Sequence, residues 1–180
     1  MILFMSGFPK SGKSSFAELL VKNLDNKLCL HINPADYYPD NFDDLPQEEK
    51  TDIAVTAWEM SLERADKSIT SLPNRALAIV DTCCSSALNM RPLLLNAKVR
   101  GHDVFVVYID TPLEKRIERT GDKNLTNLEE RYKKSFGEAL PMLRKNSKEF
   151  IIVGNGSDGL SELDKYARIM CEKIRKVRSD

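Results

Sequence analysis

A glycine-rich segment near the start of the chain constrains the fold more than any other feature. Residues 7–14 read Gly-Phe-Pro-Lys-Ser-Gly-Lys-Ser, the pattern G-x-x-x-x-G-K-S, and they directly follow the apolar run Ile2–Met5. A helical pattern follows at residues 14–21. The order of strand, glycine loop and helix predicts a loop whose backbone amides surround a phosphate group at a helix N-terminus.

Individual positions of this loop have expected roles toward a nucleoside triphosphate. We expect Lys13 to contact the β- and γ-phosphates of ATP and the Ser14 hydroxyl to bind Mg²⁺. Asn155 follows the last strand-like run, where backbone could border the adenine ring, although a plain strand-to-helix turn explains that segment equally well. The expected ATP-binding set is Gly7, Pro9, Lys10, Ser11, Gly12, Lys13, Ser14, Ser15 and Asn155.

Size and charge limit the classes of protein to consider. A chain of 180 residues is predicted to form one domain over residues 1–180. Because 27 basic and 27 acidic residues cancel, a nucleic-acid contact would need a local basic patch.

The four cysteines have no C-x-x-C spacing, which favours free thiols over a zinc site or a disulfide framework. No long apolar run predicts a membrane span, and we expect a soluble, intracellular protein of the cytoplasm, including that of a phage-infected host.

Strand-like apolar runs alternate with helical segments along the whole chain. This alternation predicts an α/β fold in which a parallel sheet is covered by helices on both faces. Trp58, Leu62, Ala65 and Ile69 form one stripe of a helix predicted at about 48–70, so Trp58 is expected in the core and not as a base-stacking surface. Further helices are predicted at about 125–140 and 160–177. The strand-like runs are 2–5, 28–32, 76–80, 104–109 and 150–153.

Two aspartates follow strand-like runs, where ligands bind in folds of this class. Asp81 ends the run Leu77–Val80 and is a candidate to hold the water shell of Mg²⁺ or a substrate; the alternative is a helix-capping role. Asp36 lies just past the second run and is a candidate general base, with Tyr37 or Tyr38 shaping the acceptor pocket. The alternative there is an ordinary turn aspartate with surface tyrosines.

A segment rich in charge follows the fourth strand-like run. Residues 113–120 are predicted to form a helix that breaks at Gly121, within a lid at about 113–127. Arg116 and Arg119 are three residues apart on one side of that helix. They are candidates to bridge the transferred phosphoryl oxygens, while ion pairing with Glu114 and Glu118 is the alternative.

These blocks together resemble the P-loop kinase superfamily, and within it the kinase domains of phage-type polynucleotide kinases and small phage hydroxymethylpyrimidine DNA kinases. The resemblance runs from residues 7–14 through 32–37, 80–82 and 115–123 to 131–135. It implies a three-layer domain with a five-stranded parallel sheet in the order 2-3-1-4-5 and a helical lid. It further implies ATP with Mg²⁺ and transfer of a γ-phosphate to a hydroxyl. By this resemblance Lys13 and Ser14 are the phosphate and metal contacts, and Arg116 or Arg119 is the lid arginine.

One departure from that family concerns the acceptor. Where the family has an Arg-Asp-Asp-Tyr-Arg type of sequence, this chain has Pro-Ala-Asp-Tyr-Tyr at 34–38, so the usual base aligns with Ala35 and both flanking arginines are absent. The sequence thus leaves several hypotheses open. The first is a kinase acting on DNA or RNA, at a 5′-hydroxyl or at the hydroxymethyl group of a modified pyrimidine. The others are a small-metabolite or nucleotide kinase, and a nucleotide-binding module without catalysis.

Overall fold

Helices and strands alternate through the computed structural model, which describes residues 1–24, 29–73, 76–82, 87–156 and 160–179. Short 3-10 helices at Pro34–Tyr37 and Phe42–Asp44 connect the second strand to the second α-helix. The elements are β1 (Ile2–Ser6), α1 (Lys13–Asn23), β2 (Cys29–Ile32), α2 (Gln47–Ser71), β3 (Leu77–Val80), α3 (Ala87–Val99), β4 (Val104–Asp110), α4 (Leu113–Thr120), α5 (Leu125–Asn146), β5 (Glu149–Gly154) and α6 (Ser161–Ser179).

All five described strands are parallel and form one sheet in the order β2-β3-β1-β4-β5. The implied α/β fold and strand order are therefore confirmed. β1 is central, with Phe4 in register with Val80 on one side and Val106 on the other. The loop after β1 consequently lies beside the carboxyl ends of β3 and β4.

Helices cover both faces of the sheet because alternate strand residues point to opposite sides. Leu3 and Met5 of β1 pack in a cluster with buried residues of α1 and α6, whereas Ile2 and Phe4 pack in a cluster with α2, α3 and α5. All five residues of β1 are buried. The two clusters hold the phosphate-binding loop on a rigid support.

The predicted elements agree with the structure except at some ends. The α5 helix continues to Asn146 and not to about residue 140, because Leu143, beyond Pro141, is buried in the core. Such packing offsets the backbone hydrogen bond that a proline removes. Residue 28 of the second predicted strand lies outside the described residues.

Two further sequence expectations concern thiols and membranes. Among the described residues, Cys29 and Cys171 form no disulfide, and Cys171 is buried. Cys83 and Cys84, expected to serve in packing, lie outside the described residues. In the described part of the chain, no helix combines the length and the apolar character needed to cross a bilayer.

Candidate active site

The loop between β1 and α1 has a backbone that depends on glycine. Gly7 has φ +139°, and a Cβ there would lie 2.7 Å from the Ile109 carbonyl oxygen. Gly12 has φ +98°, and a Cβ there would lie 2.8 Å from Asn155 Nδ2. Lys10 also has a positive φ, of 63°. These values bring the loop close to β4 and to the segment after β5, as a compact anion-binding loop requires.

The first turn of α1 presents the polar groups of the predicted phosphate site. Lys13 is 9% exposed, and its Nζ donates a hydrogen bond to the Phe8 carbonyl at 2.9 Å, which holds the ammonium group across the loop. The next residue, Ser14, lines the same cavity as Lys13. Unpaired amides at a helix N-terminus add positive potential there, so this turn is suited to a polyphosphate.

Asp81 is a buried carboxylate at the end of β3. It is 4% exposed, and neither carboxylate oxygen has a hydrogen-bond partner among the described residues. His31 Nε2 lies 3.5 Å from one of those oxygens. A buried carboxylate without partners is costly unless a cation compensates it. Asp81 lines the same cavity as Ser14 and Lys13, and carboxylate and hydroxyl oxygens are ligands that Mg²⁺ prefers, so this pair fits the ion.

A cavity of about 800 Å³ extends from this phosphate site between α2 and α5. Its lining also includes the aromatic side chains of Tyr38, Phe42, Trp58 and Tyr132. Burial raises the pKa of Tyr38 above its ordinary value, and its ring stacks on Phe42 with centroids 4.0 Å apart. The cavity therefore combines the candidate phosphate-binding residues with aromatic side chains, which suits an acceptor beside ATP.

The prediction that Trp58 belongs to the core was wrong. The fully buried stripe of α2 consists of Ala57, Ser61, Ala65 and Ile69. Trp58 is adjacent to that stripe, is only partly buried, and lines the cavity. Its Nε1 donates a hydrogen bond to the Thr82 carbonyl at 3.2 Å, which fixes the indole beside the end of β3.

The structure places Asp36 outside the cavity lining. It lies in the first 3-10 helix, its side chain is 48% exposed, and one carboxylate oxygen is 3.8 Å from Arg64 Nη1. Its neighbours Ala35 and Tyr38 do line the cavity, whereas Tyr37 does not. Among the described residues of that lining, Asp81 is the single carboxylate.

Arg116 is directed toward the back of the phosphate-binding loop and not into the cavity. It is 1% exposed, forms an ion pair with Glu129, and donates hydrogen bonds to the Thr111 carbonyl at 3.1 Å and the Pro9 carbonyl at 3.3 Å. Its guanidinium also lies over the Phe8 ring, 5.1 Å from the centroid. These contacts make Arg116 a support of the loop.

A second support connects the loop to the segment after β5. Asn155 is 1% exposed, and its Nδ2 donates to the Ser11 carbonyl at 2.9 Å. Arg119 Nη2 in turn donates to the Asn155 carbonyl and side-chain oxygens at 3.2 and 3.3 Å. The Thr111 hydroxyl donates to the same Ser11 carbonyl at 2.7 Å. In this arrangement Asn155 contacts loop backbone, where the sequence suggested a contact with adenine.

Sequence reasoning did not find Glu129, Thr111 and His31, which contact the expected site residues. Glu129 lies 13 positions after its partner Arg116, on another helix, so no local pattern joins them. Thr111 follows β4 at the sheet edge where ligands bind in such folds, and this position in the sequence could have marked it as a candidate site residue.

Comparisons with known proteins concern the fold. No protein-family model and no curated protein matches the sequence. The APS kinase CysC of Mycobacterium tuberculosis, solved with AMPPNP and APS, matches with 17% identity over 97% of this chain and 96% of that one, at a TM-score of 0.55.

Two other solved structures are similar. A protein of Chloroflexus aurantiacus, provisionally assigned as a kinase, has 12% identity over 95% of this chain and 96% of that one, at a TM-score of 0.60. A structure from the PezAT toxin–antitoxin system of Streptococcus pneumoniae has 14% identity over 100% of this chain and 87% of that one, at a TM-score of 0.61. Similarity at such identities concerns the backbone arrangement alone. Together with the strand order, it shows that this chain has the P-loop kinase fold.

Proposed function

We propose that this protein is an ATP-dependent kinase that transfers the γ-phosphate to a hydroxyl group of a nucleic-acid acceptor. The acceptor group is a 5′-hydroxyl of DNA or RNA, or the hydroxymethyl group of a modified pyrimidine such as 5-hydroxymethyluracil in DNA. One observation carries the proposal: Lys13, Ser14 and Asp81, whose carboxylate accepts no hydrogen bond from a described residue, line one cavity together with several aromatic side chains. Phosphoryl transfer requires this combination of charge compensation and positioning.

The residues have separate tasks in this proposal. The loop amides and Lys13 bind the β- and γ-phosphates, and Ser14 with Asp81 would hold Mg²⁺, which supplies charge compensation when bound. Arg116 and Arg119 maintain the loop geometry through their hydrogen bonds to Pro9 and Asn155. The sequence prediction that Arg116 and Arg119 contact the transferred phosphate is a further role, and in the structure Arg119 Nη2 donates to Asn155.

The test of the function is transfer of labelled γ-phosphate from ATP to a panel of acceptors. The panel contains 5′-hydroxyl DNA, 5′-hydroxyl RNA, 5′-phosphorylated DNA with internal hydroxymethyluracil, and free nucleosides. Label on a polymer supports the proposal, and the labelled position identifies the hydroxyl. Lys13→Ala is the inactive control. Absence of label on every acceptor, with ATP still bound, contradicts the kinase proposal and favours a binding module without catalysis.

The base is tested separately with Asp36→Asn. Loss of transfer with unchanged ATP affinity would support the sequence prediction that Asp36 accepts the proton of the attacking hydroxyl. Turnover at the wild-type rate would contradict it. Asp44→Asn, an exposed carboxylate of the same connection that does not line the cavity, is the matched control.

A small-metabolite or nucleotide kinase is the second candidate, because acidic side chains surround one side of the cavity. Asp40, Asp43, Asp44, Glu48 and Glu49 are all exposed on the segment that leads into α2. They would repel a phosphate backbone. Under this candidate free nucleosides or other small alcohols are labelled and oligonucleotides do not compete, whereas a nucleic-acid acceptor would compete with a steep dependence on salt.

A further inference from the structure

The aromatic side chains that line the cavity come from three separate parts of the fold. Tyr38 and Phe42 come from the connection between β2 and α2, Trp58 from α2, and Tyr132 from α5. Residues so far apart in the chain reach one cavity only through the tertiary fold. Single exposed aromatic residues are common on protein surfaces, but several converging rings in a concave site indicate a ligand with a large apolar face.

These rings are fixed in place by their own contacts. The Trp58 indole is anchored by its hydrogen bond to the Thr82 carbonyl, one residue beyond Asp81. Tyr38 and Phe42 stack on each other with only 10° between their planes. Because burial raises the pKa of Tyr38, its phenol is neutral at physiological pH. Fixed rings lose little conformational entropy when a flat ligand stacks on them.

The polar groups of the cavity are suited to the edge of such a ligand. Asn33, Gln47 and Asn89 contribute amide side chains, which can donate and accept hydrogen bonds. Lys50 is the one basic side chain that the described lining has besides Lys13, and its Nζ already donates to the Asp43 carbonyl at 2.7 Å. Five exposed carboxylates on the connection before α2 and on its first turn, those of Asp40, Asp43, Asp44, Glu48 and Glu49, disfavour an anionic acceptor. A neutral heteroaromatic ring, in contrast, finds aromatic side chains to stack on and amides for its edge.

We infer that the acceptor binds through a neutral, planar heteroaromatic ring of the nucleobase type, which stacks on Trp58 while its hydroxyl is presented toward Asp81 and the phosphate-binding loop. The inference rests on the proposed kinase function and specifies the acceptor of the same site. A base in a free nucleoside and a base turned out of a polynucleotide share this chemistry. Aliphatic alcohols and sugars without a base do not.

The first test uses the fluorescence of Trp58, which is the only tryptophan of the chain. The wild-type protein, without ATP, is titrated with thymidine, with 5-hydroxymethyl-2′-deoxyuridine, with single-stranded DNA containing hydroxymethyluracil, and with ribose. Saturable quenching by the base-containing probes and none by ribose is expected. Quenching by nucleosides but not by DNA indicates that the acceptor is a free nucleoside. Quenching by DNA but not by nucleosides indicates that the acceptor is a polynucleotide. An emission unchanged by every base-containing probe overturns the inference.

The second test uses kinetics with the best acceptor. Trp58→Leu should raise the KM for the acceptor about 10-fold, a typical loss for one base–aromatic contact, without changing the KM for ATP. Trp58→Phe keeps an aromatic face and should restore most of the affinity. Met60→Ala, on the same helix but outside the cavity lining, should behave as wild type. Equal acceptor KM values for wild type and Trp58→Leu overturn the inference.

The two tests separate this inference from the function on which it rests. Quenching by base-containing probes with no transfer to any acceptor contradicts the kinase proposal and retains the ring-binding site. Efficient transfer with an acceptor KM that does not depend on Trp58 retains the kinase and overturns the ring-binding site.

Discussion

Asp81 combines a position that is unfavourable for folding with a proposed role in function. Its carboxylate is nearly inaccessible and lacks a hydrogen bond from any described residue. Burial of that kind costs free energy which other residues of the fold must offset. Such local instability is typical of functional sites, where a ligand and not the folded chain completes the set of interactions.

Replacing this carboxylate therefore has opposite effects on activity and on stability. In Asp81→Asn we expect phosphoryl transfer to fall about 100-fold or more, because the proposed Mg²⁺ site loses its charge. The melting temperature should stay the same or rise, since the buried charge is removed. Parallel measurements of transfer rate and thermal unfolding check this. A large loss of stability in Asp81→Asn would show that the carboxylate has a structural partner.

Arg116 is a buried charged residue whose charge is compensated by an ion pair with Glu129. Glu129→Gln keeps the shape of its partner but removes the negative charge, so we expect a loss of about 3–5 kcal/mol of unfolding free energy. Urea denaturation measures the difference. Glu118→Gln removes an exposed partner of Lys115 on the surface of α4 and should change stability little. Equal stability of the two variants would contradict a role for Arg116 as a buried support.

The phosphate-binding loop acts as one element because its backbone conformation and its supports depend on each other. The Pro9 carbonyl accepts a hydrogen bond from Arg116, and the Ser11 carbonyl accepts hydrogen bonds from Asn155 and Thr111. These bonds orient the peptide groups of the loop. The positive φ of Gly7 and Gly12 permits that path. Helix α4 thus supports the loop through its buried side, and the helix ends at Thr120, just before Gly121 with φ +69°.

Two glycine substitutions separate loop geometry from ordinary helix propensity. In Gly12→Ala the Cβ would meet Asn155 Nδ2 at 2.8 Å in a strained backbone, so we expect loss of ATP binding and lower stability. In Gly137→Ala, on α5, the Cβ meets nothing within 4 Å, and the helix should gain about 0.5–1 kcal/mol. Calorimetric titration with ATP and chemical denaturation measure the two effects. Normal ATP affinity in Gly12→Ala would contradict the described loop.

Binding of ATP at one edge of the sheet should stabilise the entire molecule. The loop, the end of β3 and both core clusters meet through β1, so a ligand of the native state shifts the unfolding equilibrium of the whole fold. At 100 times its dissociation constant, ATP with Mg²⁺ should add about 2.7 kcal/mol, which raises Tm by about 5–10 °C in a chain of this size.

Differential scanning calorimetry with and without the nucleotide measures this shift. Lys13→Ala should keep the Tm of the free protein within a few degrees and lose most of the increase, because the ammonium group that we propose to contact the phosphates is absent. An equal increase in both proteins would place the nucleotide elsewhere.

Local sequence patterns were sufficient for the architecture. The glycine loop, the five apolar runs and the helical stripes each depend on residues close together in the chain, and their physical basis is backbone conformation and the periodicity of burial. Resemblance to a family added the strand order. The positions of Lys13 and Ser14 on the first turn of α1 also follow from the loop pattern alone.

The directions of the side chains and the contacts between distant segments were decided only by the tertiary structure. A helical pattern could not show that Arg116 points behind the loop to Glu129, that Trp58 lies beside the buried stripe of α2 and lines the cavity, or that Asp36 pairs with Arg64. Each of these outcomes depends on how a helix is rotated against neighbours that are far away in sequence. Successive residues of an α-helix are about 100° apart around its axis, so a small rotation of the helix can move a side chain from the core to the cavity. The packing of the complete fold selects one such rotation.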